Sequence, residues 1–433
     1  MPSKGHRVLL LGTSGTNKNT VIKNLRDYRK KEFSRDEIIQ YDFERILTES
    51  QDIRLFNWLD ASERRQRDTW NQGWKNFKRR FCDEDQGTDD VFLNMHGVIT
   101  RRNYGIRSPI NIRRLVDGYD PTIVVTLIDD VYRVRHNIHE RAGDKRYEGH
   151  LTLEDIFTAR QASIFLGGLI SKQINDWASS TIPHYVISVW HPARVLDKLL
   201  RARSNLTTAY TAFPITIPRK YKGEGMLSLK NEINDILRDV SEFASRENDF
   251  TFFCPLTIDE YPLLFALDNA DKFTRQNQYG NEVTYMKFST GDRWNVRSFY
   301  GEDTILLTDD ENEPNYIDIP IDEVEAVDSF IRSDVGTRDY KLVSQSDLLN
   351  AYNPVVENLD GKHVLSGGVK NEIRYALNRA KRKPPVHVYQ NKDHDPNDIL
   401  RDYYYGQTST GSQIGSNRII IHHSLKEHLE NLP

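Results

Sequence analysis

With 433 residues the chain is longer than a usual single domain, so two domains are the expectation, and 38% hydrophobic with 28% charged residues suits a globular protein with two cores. A net charge of −4, with acidic and basic residues interleaved, argues against a dedicated nucleic-acid binder and leaves only local basic patches such as Lys78 to Arg80. Two distant cysteines, Cys82 and Cys254, fit a reducing cytoplasm, no apolar run reaches membrane-spanning length, and Met1 to His6 lacks the core of a signal peptide.

Arg7 to Leu11 is a short aliphatic run of the kind a central parallel strand needs, and it enters Gly12-Thr-Ser-Gly15-Thr-Asn17-Lys18-Asn19-Thr20, with helical spacing from Val21 to Leu25. These are the parts of a phosphate-binding loop. The backbone N–H groups around Gly12, Gly15 and Asn19 would surround phosphates, Lys18 would neutralise them, and the Thr20 hydroxyl would hold a magnesium ion. The spacing resembles the loop of adenylate kinases and related nucleoside monophosphate kinases, Gly-x-x-Gly-x-Gly-Lys-x-Thr, with Asn17 replacing the glycine before the lysine. Two readings stay open: a loop that binds ATP with Mg2+, or one of kinase ancestry in which the Asn17 side chain crowds the phosphates out.

Further strands are expected at Asp90–Met95, Thr122–Ile128 and Tyr185–Trp190, alternating with helical segments, which predicts an α/β domain with a mainly parallel sheet. Asp129 and Asp130, at the end of one strand, either order a nucleotide or metal-bound water or form a solvated turn. The adenylate kinase resemblance spans about residues 5 to 200. It implies an acid and an arginine after the third strand, where this chain has Asn94-Met-His-Gly97. Arg133, Arg135, Arg141 and Lys145 are candidate replacements as phosphate ligands, and His136, His139 and His150 read as solvent-facing.

The helical pattern from Arg194 to Arg203 closes this domain, taken as residues 1–205, with Ser204 to Thr208 as connector. A second alternation follows over 206–433: a strand from Ala209 running to Phe213-Pro214-Ile-Thr216, a helix over Leu229–Ala244, a strand at Asp249–Pro255, and an insertion about 262–318 that reads as small β structure. The insertion is expected to serve as a lid or an oligomer contact. Helical spacing over Ile321–Ser346 contains Arg338-Asp339, and Asp347 leads into the strand Leu348–Tyr352. Ser366-Gly367-Gly368 then opens a helix carrying Glu372 in its first turn, and strands follow at Val386–Tyr389 and Ile419–Ile421. A helix start behind such a turn suits an anion, although Glu372 also reads as an ordinary favourable charge near the positive end of the dipole.

Taken in order, the Arg-Asp helix, the strand after Ser346-Asp347 and the Ser-x-Gly-type turn resemble the nucleoside 2-deoxyribosyltransferase and nucleotide N-hydrolase superfamily over about 209–400. The resemblance implies a flavodoxin-like doubly wound fold, Glu372 as the nucleophile at C1′ of the sugar, and Asp339 facing base or sugar. It further implies Ser366 with Gly367 and Gly368 at a phosphate, Phe213, Pro214 and Thr216 on the pocket floor, and Tyr404 closing over the base. Expected partners are small-molecule nucleotides and further copies of the chain, with no cofactor for the glycosidic step. Hydrolysis or transfer of a nucleoside, a nucleotide kinase or NTPase activity of the loop, and a nucleotide sensor controlling the hydrolase all stay open.

Overall fold

A computed structural model describes residues 5–34, 38–49, 58, 61–84, 89–101, 105–141, 151–178, 181–201, 205–215, 224–276, 280–300, 315–357, 361–378, 384–395, 397–405 and 419–432. The chain forms two units, Met1–Ala193 with Ile258–Arg293 and Leu306–Ile331, and Arg194–Thr257 with Trp294–Ile305 and Arg332–Pro433.

The first unit contains β1 (Arg7–Gly12), β2 (Ile38–Asp42), β3 (Asp90–Asn94), a small hairpin of β4 (Ile99–Arg101) with β5 (Gly105–Arg107), β6 (Ile123–Ile128) and β7 (His184–Ser188). Five of these form a sheet in the order β2-β3-β1-β6-β7, with all pairings parallel. Val8 to Leu11 are fully buried, because helices cover both faces of such a sheet and leave no polar face to alternate with. On one side, Trp70, Trp74, Phe77 and Phe81 recur at helical spacing along Glu63–Glu84 and pack with Tyr41, Phe43 and Tyr119. Trp70 and Trp74 stack with ring centroids 5.3 Å apart.

The chain then supplies the second unit with β8 (Thr207–Ala212), the helix Glu224–Arg246 and β9 (Phe250–Phe253). It returns to the first unit with the helix Tyr261–Asn269 and the antiparallel strands β10 (Lys272–Gln276), β11 (Glu282–Ser289) and β12 (Tyr316–Pro320). Most of the insertion therefore belongs with the first unit and not with the domain in which it was expected, while Trp294–Ile305 stays with the second. Its apolar face, Leu263, Met286, Phe288, Ile317 and Ile319, packs against Tyr132, Ile138, Ile156 and Phe157. Residues 301–314 of the insertion lie outside the described residues, and Thr207 and Thr208 belong to β8 instead of a connector.

The second unit continues with β13 (Leu348–Tyr352), a hairpin of β14 (Val355–Glu357) and β15 (His363–Leu365), β16 (Val386–Tyr389) and β17 (Ile419–His422). Its parallel sheet runs β9-β8-β13-β16-β17, which in the unit's own chain order is the doubly wound 2-1-3-4-5. Asp347 fixes the start of β13 beside β8, with its Oδ2 accepting from the Thr208 backbone N–H at 3.0 Å and from the Thr208 hydroxyl at 2.8 Å. The β14–β15 hairpin lies between the end of β13 and Ser366.

A buried ionic cluster ties the insertion to the first sheet. Arg160 grips Glu260 with both guanidinium nitrogens, and Glu260 Oε1 also accepts from the Val131 N–H at 3.2 Å. Asp130 pairs with Arg293 at 3.2 Å and accepts from the Asp259 N–H at 2.5 Å and the Tyr132 hydroxyl at 3.1 Å. Arg133 and Arg293 lie over the ring of Trp190 at 4.3 and 3.9 Å, and Trp190 donates to Asp129 at 3.0 Å. Neither aspartate forms a solvated turn. Burial, opposed by Arg293, lifts Asp130 to about 7. Breaking such a pair strands a charge, so Arg160→Ala should lower the unfolding free energy in urea by about 3–5 kcal/mol, while Arg160→Met with Glu260→Leu restores most of it. A loss below about 1 kcal/mol for the single change would show that the cluster does not hold the insertion.

Candidate functional site

In the second unit the switch point lies between β8 and β13, so ligands of this architecture meet the ends of those strands. Glu372 stands on the helix Gly367–Asn378, in its second turn and not its first. Its side chain is buried, and Oε1 accepts a 2.8 Å hydrogen bond from the hydroxyl of Tyr210 on β8. Oε2 has no hydrogen-bond partner among the described residues. Burial first, then the charge of Asp339, pushes this carboxyl well above the usual range, against the Tyr210 hydrogen bond and the Arg338 charge. Arg338 and Asp339, both buried on the helix Ile321–Gln345, are paired at 2.9 Å. A surface charge near a helix start needs none of this. The arrangement is that of a carboxyl group kept from water and held by one donor.

Ser366 is buried immediately before the helix, and its backbone N–H donates to the Pro354 carbonyl at 2.8 Å. Gly367 and Gly368 are exposed, and a Cβ at either would meet nothing within 4 Å. Neither crowding nor backbone conformation demands glycine there, so the two leave the helix start open to close approach. Phe213 stacks on Tyr352 with centroids 5.0 Å apart, and Pro214 is buried beside it in the chain. Thr216 lies outside the described residues. Tyr404 is buried against Tyr403, and its hydroxyl has no hydrogen-bond partner among the described residues.

Sequence reasoning missed Tyr210, whose role follows only from the placement of β8 beside a helix 162 residues later. It also missed three buried histidines: His387 on β16, His422 ending β17, and His428 in the helix Leu425–Glu430. Their ring centroids lie 5.2 to 6.2 Å apart, and among the described residues neither ring nitrogen of His428 has a hydrogen-bond partner. In register, Leu349 stands beside Tyr210, and its neighbour Asn350 beside His387, so His387 and Tyr210 point to opposite faces of the sheet. Among the described residues no set of three His, Cys, Asp or Glu side chains converges closely enough to hold a metal.

In the first unit the phosphate-type loop follows β1, at the strand end bordered by β3 and β6. Gly15 has φ +85°, and a Cβ there would meet the Val134 carbonyl oxygen at 2.8 Å. Asn17 adopts φ 50° and ψ 41°, the left-handed conformation that glycine would supply and that asparagine tolerates best among the other residues. Lys18 Nζ lies 3.4 Å from the carbonyl oxygens of Gly12 and of Thr13, and burial lowers its pKa to about 8 against the raising fields of Glu44 and Asp42. Asn19 bridges the strand ends, donating to Asp42 at 2.8 Å and accepting from Asn94 at 2.6 Å and Gln40 at 2.7 Å. Thr20 is half-buried in the first turn of the helix Lys18–Phe33. Asp129, expected at this mouth, is turned into the ionic cluster. Arg133 shares that cluster, and Arg135 is bound through two nitrogens to Glu323 at 2.9 and 3.0 Å. The side chain of Arg141, and Lys145 and His150, lie outside the described residues.

No protein-family model matches the chain, and no curated protein matches it.

The histidine cluster makes acid stability a test of the second unit. Burial, with the fields of its two neighbours, holds His428 down at about 3, so an unfolded chain takes up a proton near the ordinary value of 6.5 that the folded unit refuses. The stabilisation is complete above about pH 6.5 and is lost as pH falls toward 3. Urea midpoints should drop steadily over that window, and His428→Phe should flatten the drop; an equal slope in both proteins would exclude the cluster as its cause.

Proposed function

We propose that the second unit cleaves the N-glycosidic bond of a nucleoside or nucleoside 5′-phosphate, with Glu372 as nucleophile. The observation that carries this reading is a carboxyl that is buried, has one oxygen without a hydrogen-bond partner among the described residues, and is held through the other by Tyr210 on β8, a strand that borders the switch point. Departure of the base leaves positive charge on the sugar. A carboxylate beneath C1′ meets that charge by forming a glycosyl ester, as the single C1′–N bond breaks and the base leaves with its electron pair. Water then gives the free sugar, whereas another base gives transfer. Tyr210 and Arg338 favour the ionised form that attack requires. Asp339, tied to Arg338, orients the sugar or the departing base, and Ser366 with the open backbone at Gly367 and Gly368 receives the 5′-phosphate or 5′-hydroxyl. The glycosidic step needs no cofactor.

A second reading concerns the first unit. The left-handed Asn17 keeps the loop's path, and Lys18 stands at its mouth, so the loop suits a nucleoside triphosphate cradled by its N–H groups and Lys18. A magnesium ion, which supplies charge neutralisation at the phosphates, would be held by Thr20.

Incubation with nucleosides, nucleoside 5′-phosphates and NAD, followed by chromatography, should release free base, and Glu372→Gln should lower turnover about 10³-fold or more. Base release that survives the substitution would sink the assignment. Because the folded carboxyl titrates above its unfolded value, its stabilising protonation is complete below about pH 4.5 and is lost as pH rises through the folded value. Activity should therefore rise with pH through that same range, and Glu372→Gln should raise the melting temperature at neutral pH; a variant that melts lower at pH 8 would contradict this account.

A further inference from the structure

At the ligand edge of the first sheet, β2 delivers Asp42 and then Glu44, β3 is followed by His96, and β1 delivers the loop with Lys18. Glu44 is mostly buried. Its Oε1 accepts from the His96 backbone N–H at 2.5 Å and lies 3.3 Å from His96 Nδ1. Burial and the Lys18 charge hold His96 neutral, and the fields of Glu44 and Asp42 reach Lys18. Asp42 is occupied by the Asn19 amide and the Arg45 N–H, whereas the contacts of the Glu44 carboxyl among the described residues are with His96.

The charges at this mouth discriminate between acceptors. A phosphate acceptor carries up to two negative charges, which two carboxylates facing one lysine repel. Of the arginines that could offset them, Arg133 is spent on Asp129 and Trp190 and Arg135 on Glu323. A hydroxyl acceptor carries no charge and requires a proton acceptor, which a carboxylate supplies.

We propose that the first unit transfers a phosphoryl group to a hydroxyl of a small-molecule acceptor, with Glu44 as the general base. The proposal rests on the reading that the loop holds a nucleoside triphosphate. The acceptor oxygen bonds to the γ-phosphorus, the bond from that phosphorus to the β-phosphate oxygen breaks, and the hydroxyl proton passes to Glu44 as the nucleoside diphosphate leaves. Burial, offset by Lys18, sets Glu44 at about 7, where a base is both available and strong enough to draw the proton.

The test mixes the full chain with γ-labelled ATP, Mg2+ and one of two acceptor panels, nucleosides and polyols or nucleoside monophosphates. Label should enter a new phosphomonoester in the first panel. Glu44→Gln should lower that transfer about 10²-fold or more while leaving the binding of a fluorescent ATP analogue unchanged. Transfer to monophosphates instead, release of inorganic phosphate alone, no labelled product from either panel, or undiminished transfer by Glu44→Gln would each overturn the proposal. Analogue binding without transfer defeats the acceptor assignment only, whereas wild-type protein that binds no analogue, matching Lys18→Ala, defeats the loop reading as well.

Discussion

A parallel sheet buries both of its faces, and this constraint governs where polar chemistry can occur in either unit. Val8 to Leu11 and Ile123 to Ile128 have no solvent side to which a charged residue could turn, so charge is displaced to the edge where the strands end. Lys18, Asp42, Glu44 and His96 collect at that edge in the first unit. In the second, Tyr210 reaches Glu372 from β8, and Phe213 and Pro214 follow at the strand's end. The common geometry arises from strand order and not from any likeness between the two sets of side chains.

Buried ionisable groups fall into different physical situations here. In the Arg160–Glu260 and Arg293–Asp130 cluster each carboxyl meets a guanidinium and a backbone donor, which fixes the insertion even though burial still lifts Asp130. Glu372 has a tyrosine hydroxyl and a distant share of Arg338, with Asp339 opposing, so its charged form remains incompletely supported. His428 is buried with two further imidazoles beside it, whose fields add to burial and keep it neutral. A group whose environment leaves it short of a partner is ready to interact with something else, which is the physical distinction between an anchor and a reactive centre.

Much of the architecture was legible because its signals are local. Aliphatic runs marked β1, β3 and β6, the glycine and lysine pattern marked the loop, and the Ser-Gly-Gly turn marked the helix of Glu372. Distinctions between surface and interior were harder to read. Asp129 resembles any charge after a strand until Trp190, 61 residues onward, closes over it. Glu44 follows β2, a strand with no strong apolar run, so the acid missing after β3 was not sought there. His387, His422 and His428 share no spacing rule, and the pairing of β16 with β17 brings two of them side by side. In each case the decisive relation is between residues that only tertiary packing makes neighbours.

The path of the chain has one more consequence. It passes between the units after residues 193, 257, 293, 305 and 331. No single cut can therefore yield two complete pieces. A fragment ending at 205 would retain the loop and every strand of its parallel sheet, yet it would lack the helix and antiparallel strands that cover Tyr132, Ile156 and Phe157, and would expose that apolar surface to water. The two units are thus inherited as one covalent object: gene fission or simple domain shuffling could not pass on either unit whole, and recombination would have to exchange both together.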